Sequence, residues 1–130
     1  MKILVGYDGT NAAKEALKLA GMHAKAFDAD VHLVTSMSSG KDDEQDKITN
    51  AESQLEWAKS TLEAAGLRCT THLLIRGMTA GEDIVTFAEE KKVDEIVVGV
   101  KRRSRVQKIL LGSTAQFIII KAPCAVVTVK

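Results

Sequence analysis

Apolar positions along this chain alternate between two spacings from one end to the other. Residues 2–7 carry Ile3-Leu4-Val5 and are bounded by Gly6 and Gly9. A short, continuous, β-branched run of this kind predicts a strand buried on both faces. Over 11–27 the apolar residues become Ala13, Ala16, Leu17, Ala20, Ala24 and Phe27, the stripe of an amphipathic helix. Thr10 or Asn11 is placed to cap its start. Residues 31–37 predict a second strand, and the polar stretch 38–46, with Gly40 and its acids, a loop. Ile48, Ala51, Leu55, Ala58, Leu62 and Ala65 then repeat at three and four, predicting a long helix that Gly66 terminates.

The second half repeats the pattern. Residues 67–75 predict a third strand, whose polar start at Cys69-Thr70-Thr71-His72 suits a sheet edge. Thr79-Ala80-Gly81-Glu82 has the form of a capping box and opens a helix running to about Lys92. Residues 95–99 predict a fourth strand. Ser113-Thr114-Ala115-Gln116 has the form of a second capping box, opening a helix that Pro123 stops, and 125–129 predict a fifth strand. Strands separated by helices must run parallel. Right-handed crossovers place helices on both faces. The expected fold is therefore α/β, a three-layer open parallel five-stranded sheet, Rossmann-like with the flavodoxin-like order 3-2-1-4-5, in one domain over residues 1–130.

Composition changes this picture little. At 130 residues, 45% hydrophobic and 27% charged, the chain can bury a core without disulfides or a structural metal. A net charge of +1 favours no polyanion in bulk, so any basic site must be local. No apolar run approaches the ~20 residues of a membrane span, and the chain opens directly into a strand without the pattern of a signal peptide. Cytoplasm is the expected location, with no membrane partner. Cys69 and Cys124 are read as buried reduced thiols. His23, His32 and His72 lie on three elements with no ligand beside them in sequence, so no metal site is expected.

In such a sheet, ligands bind beyond the carboxyl ends of the strands, where the winding reverses. That point lies between the first and fourth strands. Tyr7-Asp8-Gly9-Thr10 and the stretch from Gly99 to Ser113 converge there. The latter holds Lys101, Arg102, Arg103 and Arg105, with Lys108 close behind. Gly112 and Ser113 begin a helix whose free amides suit a phosphate. A solvated basic loop with an ordinary helix cap reads equally well from these residues. Asp8 could orient a polar ligand group, bind a metal or accept a phosphoryl group, and could equally hold the turn that follows it. Enzyme signatures are missing. There is no P-loop, no G-x-G-x-x-G after the first strand and no G-x-S-x-G elbow. No second carboxylate stands near Asp8 for acid–base work. The basic run lacks interleaved aromatics, so nucleic-acid binding is not expected.

Together these residues resemble the universal stress protein family. Ile3-Leu4-Val5-Gly6-Tyr7-Asp8-Gly9-Thr10, Gly77 and the helix after it, Ile96-Val97-Val98-Gly99, Leu110-Leu111-Gly112-Ser113-Thr114-Ala115-Gln116 and Ala122-Pro123-Cys124-Ala125-Val126-Val127 carry the likeness, which spans the chain. The resemblance implies a non-enzymatic stress-response protein, with slow ATPase activity left open. It would bind ATP or another adenine nucleotide, with or without Mg²⁺, in a sensor or switch role. It implies contacts from Asp8 and its neighbours Tyr7 and Gly9 at the adenine end, with Ser36 beside the adenine. Gly99, Lys101, Arg102 and Arg103 would lie by the ribose and phosphates, and Gly112, Ser113 and Thr114 at the phosphates. It also implies a homodimer through the C-terminal strand Ala125–Val129, which would otherwise be an exposed edge.

One position departs from the family's nucleotide pattern. Gly99 and Gly112-Ser113 keep the spacing, but Arg102 stands where the second glycine is expected. A side chain there takes the space of a backbone–phosphate contact, yet a guanidinium can itself bind phosphate. The alternative is a nucleotide-free, dimeric protein-interaction module.

Overall fold

The computed structural model describes residues 1–38, 45–100 and 111–130. Five strands alternate with four helices: β1 (Lys2–Gly6), α1 (Asn11–Phe27), β2 (Asp30–Met37), α2 (Gln45–Ala64), β3 (Cys69–Ile75), α3 (Ala80–Lys91), β4 (Glu95–Gly99), α4 (Ser113–Lys121) and β5 (Ala125–Val129). All strand pairs are parallel and the sheet order is β3-β2-β1-β4-β5, as expected. β1 is central, and its Ile3, Leu4 and Val5 are fully buried, which is why it reads as an uninterrupted apolar run.

The strand side chains feed two cores. Ile3, Val5, Val31, Leu33 and Val97 pack with Ala16, Leu17 and Ala20 of α1 and Leu55, Ala58 and Leu62 of α2. On the other face Leu4, Val34, Ile96 and Val98 meet Ile84, Phe87 and Ala88 of α3 and Ile118 of α4. Each of the buried Val, Leu, Ile and Phe side chains contributes about 1.5–3 kcal/mol. Chain reversals follow from local chemistry. The Thr10 hydroxyl accepts from the Ala13 N–H at 3.2 Å and caps α1. The Thr79 hydroxyl accepts from the Glu82 N–H and caps α3. Gly66, at φ +81°, takes the left-handed turn after α2.

Two expectations need correction. Ser113 is not the cap of α4: it is the first helical residue, and Gly112 occupies the cap. The Gln116 side chain donates to the Leu111 carbonyl at 2.7 Å instead of closing a capping box. The cysteines are free but only half-buried. Burial still pushes the Cys69 thiol up to about 11 and raises that of Cys124, so neither is a thiolate at neutral pH.

Candidate functional site

A cavity of about 350 Å³ opens at the carboxyl ends of β1, β2 and β4, against the starts of α1, α3 and α4. That is the volume of a small-ligand site, at the point where the strand order reverses. Of the residues expected there, Tyr7, Asp8, Ser36, Gly99, Gly112, Ser113 and Thr114 line it. Gly9 is not among the lining residues. It sits at φ +78° beneath Gln54 of α2, whose amide group would lie 2.6 Å from any Cβ. Its glycine is required by that left-handed turn and that contact. Lys101, Arg102 and Arg103 lie outside the described residues, as do Arg105 and Lys108.

Gly99 and Gly112 owe their small size to different causes. A Cβ on Gly99 would collide with the carbonyl of Ala12, so α1 crosses β4 too closely for any side chain. At Gly112, among the described residues, no atom lies within 4 Å of where a Cβ would stand. Its φ of −63° suits any residue, so among the described residues packing does not account for this glycine. It lines the cavity at a helix start that, among the described residues, no side chain caps, unlike those of α1 and α3. The first amides of α4 have no intrahelical acceptor, and the exposed Ser113 and Thr114 sit in the same turn.

The opposite wall presents hydroxyls whose protons are already committed. Thr10 donates to Asp8 Oδ1 at 2.6 Å, Thr35 to the Tyr7 carbonyl at 2.6 Å, and Ser36 to Asp83 Oδ2 at 2.7 Å. Toward the cavity these oxygens can act only as acceptors. The Asp8 carboxylate also accepts from the Thr10 N–H at 3.1 Å, so it does hold the turn into α1. The Tyr7 ring belongs to the core, and burial together with the Asp8 charge raises its phenol above the usual range. The site is therefore polar in two senses. One end offers N–H and O–H donors, the other acceptors, and Val34, Ala80, Ile84 and Val98 supply apolar walls between.

Asp83 had no signal in the sequence, where Glu82-Asp83 reads as the ordinary acidic first turn of a helix. It is fully buried. Its Oδ1 accepts from Arg76 Nε at 2.6 Å, and Arg76 reaches Glu90 at 3.0 Å. A buried carboxylate persists only with such partners. His32 and His72 also meet, Nδ1 to Nε2 at 3.0 Å, against the Phe87 ring. His23 bonds Glu95 at 2.7 Å. Among the described residues no group of three or more His, Cys, Asp and Glu side chains could hold a metal ion. Nor, among those residues, is any helix long and apolar enough to cross a membrane.

Such an open parallel α/β sheet, with its crevice at the strand reversal, defines the architectural class of this chain. Comparison narrows the class. The sequence model of the universal stress protein family matches residues 1–130, and this chain belongs to that family. It is 35% identical to universal stress protein MJ0531 of Methanocaldococcus jannaschii, over 99% of this chain and 81% of that one. It superposes on a universal stress protein from Archaeoglobus fulgidus with a TM-score of 0.91 at 34% identity, covering 100% of this chain and 98% of the other. It superposes equally fully on the structure of the universal stress protein from Archaeoglobus fulgidus in complex with dAMP, with a TM-score of 0.84 at 32% identity.

Proposed function

We propose that this chain binds an adenine nucleotide in the crevice, in a sensor or switch role, with ATP as the leading ligand. The observation that carries this reading is the two-ended cavity. The start of α4, uncapped among the described residues, suits an anion, and the acceptor-bearing wall of β1 and β2 suits a base. The dAMP complex of the Archaeoglobus fulgidus protein, 32% identical to this chain, supports it. Phosphates would rest on the amides of Ser113 and Thr114 over the open face of Gly112. The base would lie between Val34, Ala80 and Ile84. Asp8 contributes by fixing the turn, and Gly99 by letting α1 close over the site. The basic run Lys101, Arg102 and Arg103 adds attraction for polyphosphate through its charge. Mg²⁺ would arrive chelated by the phosphates, and no residue is assigned to it.

Calorimetric titration with ATP tests the reading. Trp57 is exposed on α2 beneath Lys14 and does not line the cavity, which makes its fluorescence a poor reporter. Saturable binding at or below about 1 mM, a free energy of about −4 kcal/mol, is expected. No heat at that concentration would favour the nucleotide-free interaction module. Self-association through β5 belongs to the same proposal, since β5 is an edge strand of the sheet.

A further inference from the structure

We infer that His32 and His72 form a two-nitrogen site for a soft monovalent cation, Cu(I), held on a straight line between the two rings. The site is separate from the crevice and does not depend on the nucleotide reading. His32 lies near the start of β2, about 13 Å of strand before Ser36, and neither histidine lines the cavity. β2 and β3 pair in parallel, with His32 opposite Thr70 and Val34 opposite His72. The two imidazoles are therefore diagonal neighbours on one face of the sheet, and both are half-buried.

The contact between them has the form of a linear site. His32 Nδ1 is 3.0 Å from His72 Nε2, the ring centres are 5.3 Å apart, and the ring planes differ by 25°. The distance between centres beyond the nitrogen separation is taken up by the radii of the two rings, so both nitrogens lie on the line joining the centres. The lone pair or N–H of each nitrogen then points straight at the other. Tetrahedral, square-planar and octahedral ions need lone pairs that converge at about 90–110°, which these rings do not offer. A d¹⁰ monocation such as Cu(I) takes two donors from opposite sides, and copper accepts imidazole. Among the described residues no third His, Cys, Asp or Glu side chain joins the pair, and a linear ion needs none. With metal–nitrogen bonds of about 2.0 Å, the nitrogens must part by roughly 1 Å more than in the hydrogen bond. β3 is an edge strand, so the rings can share that displacement.

Charge and protonation suit the same ion. Burial is the main cause holding both imidazoles below the usual range, so both are neutral at pH 7.5. On binding, the ring that donates moves its proton to its other nitrogen, and no net proton is released. Lys2 and Lys91 disfavour any cation at His32, and Asp30 favours one. The Lys2 ammonium is tied to the Lys91 carbonyl at 3.0 Å, and that of Lys91 stands 6.0 Å from the Phe87 ring centre. A single charge meets half the repulsion that a divalent ion would. Phe87, 4.7 Å from the His72 ring and 6.2 Å from that of His32, gives the pair an apolar floor.

Ag(I), which shares the linear preference and does not change oxidation state, is the first probe. The full chain carrying Cys69→Ala and Cys124→Ala, which removes competing thiols, is titrated at pH 7.5 in nitrate buffer without nucleotide. One equivalent should bind, shift the His32 and His72 ring resonances together in NMR spectra, and raise Tm by about 3 °C or more at saturation. Anaerobic Cu(I) should reproduce those shifts, and Zn²⁺ should bind the pair more weakly than Ag(I). His72→Phe and His32→Gln should each lower Ag(I) affinity by at least about tenfold. Should one variant fail to fold, the other decides. Ring resonances that stay fixed, affinity that survives the substitutions, failure of Cu(I) to reproduce the shifts, or tighter binding of Zn²⁺ at this pair would each overturn the inference.

Discussion

Gly99 and Gly112 belong to one sequence pattern but are constrained by different neighbours, and single substitutions separate them. In Gly99→Ala the new methyl group meets the Ala12 carbonyl, a backbone atom that cannot rotate aside. Overpacking of this kind costs about 1–3 kcal/mol, and urea denaturation should show a loss of that size. Gly112→Asp is expected to do the reverse. Its carboxylate would cap the amides of α4 and complement the helix dipole, adding about 0.5 kcal/mol of stability. The same carboxylate would occupy the phosphate position, so ATP affinity should fall at least about tenfold. A Gly112→Asp variant that is both more stable and fully able to bind would remove the phosphate assignment. Neither constraint is visible in the sequence alone. The motif marks both glycines, but only the crossing of α1 over β4 shows that one is needed for packing. The sequence also misplaced the cap of α4, because Ser113 and Gln116 have the spacing of a capping box. The Gln116 side chain bonds backward to Leu111 instead.

Among the elements, β2 meets α3 and β3 in pairs that no sequence spacing announces. Ser36 meets Asp83 across 47 residues, and His32 meets His72 across 40. The histidine contact depends on strand register, with His32 opposite Thr70, and the Ser36–Asp83 contact on how α3 packs against β2, neither of which is fixed until the elements assemble. The strands and helices themselves were legible because their apolar spacing is regular. The histidine pair makes stability depend on pH. Burial is the main cause lowering both imidazoles below 6.5. Lys2 and Lys91 add to the effect on His32, with Asp30 opposing, while His32 and Lys91 add to it on His72. Their bond also needs one ring to accept a proton from the other, which two imidazolium ions cannot do. The folded state thus binds fewer protons than the unfolded chain below pH 6.5. Stability should be complete above that value and decline as the pH falls beneath it. Thermal melts between pH 7.5 and 5 should show the decline, and His72→Phe should flatten it. An unchanged slope in that variant would show that other groups govern it.

At the scale of the whole molecule, the layered parallel sheet could be read from the alternation of spacings, and the crevice from the rule for where such sheets bind. The polarity of the cavity could not, since it depends on which way hydroxyl protons point. The sheet also ends in an edge at β5, whose apolar residues Val126, Val127 and Val129 are only half-buried. Nearby on α4, Ile119 and Ile120 are 44% and 74% exposed. An edge of this composition needs a partner, so light scattering after gel filtration should give twice the chain mass. Ala125→Lys combined with Ile120→Asp should reduce that to one. A monomeric wild type would contradict the dimer.

The cavity is lined from both sides of the sheet: α1 packs on one layer, α3 and α4 on the other. A molecule long enough to touch both would act as a bolt through the laminate, fastening sheets of side chains that otherwise meet only through the strands between them. Occupancy would then be felt as stiffness at both outer surfaces, including α4 beside the exposed edge. On the proposed reading, that is a mechanical way for the fold to report what it holds.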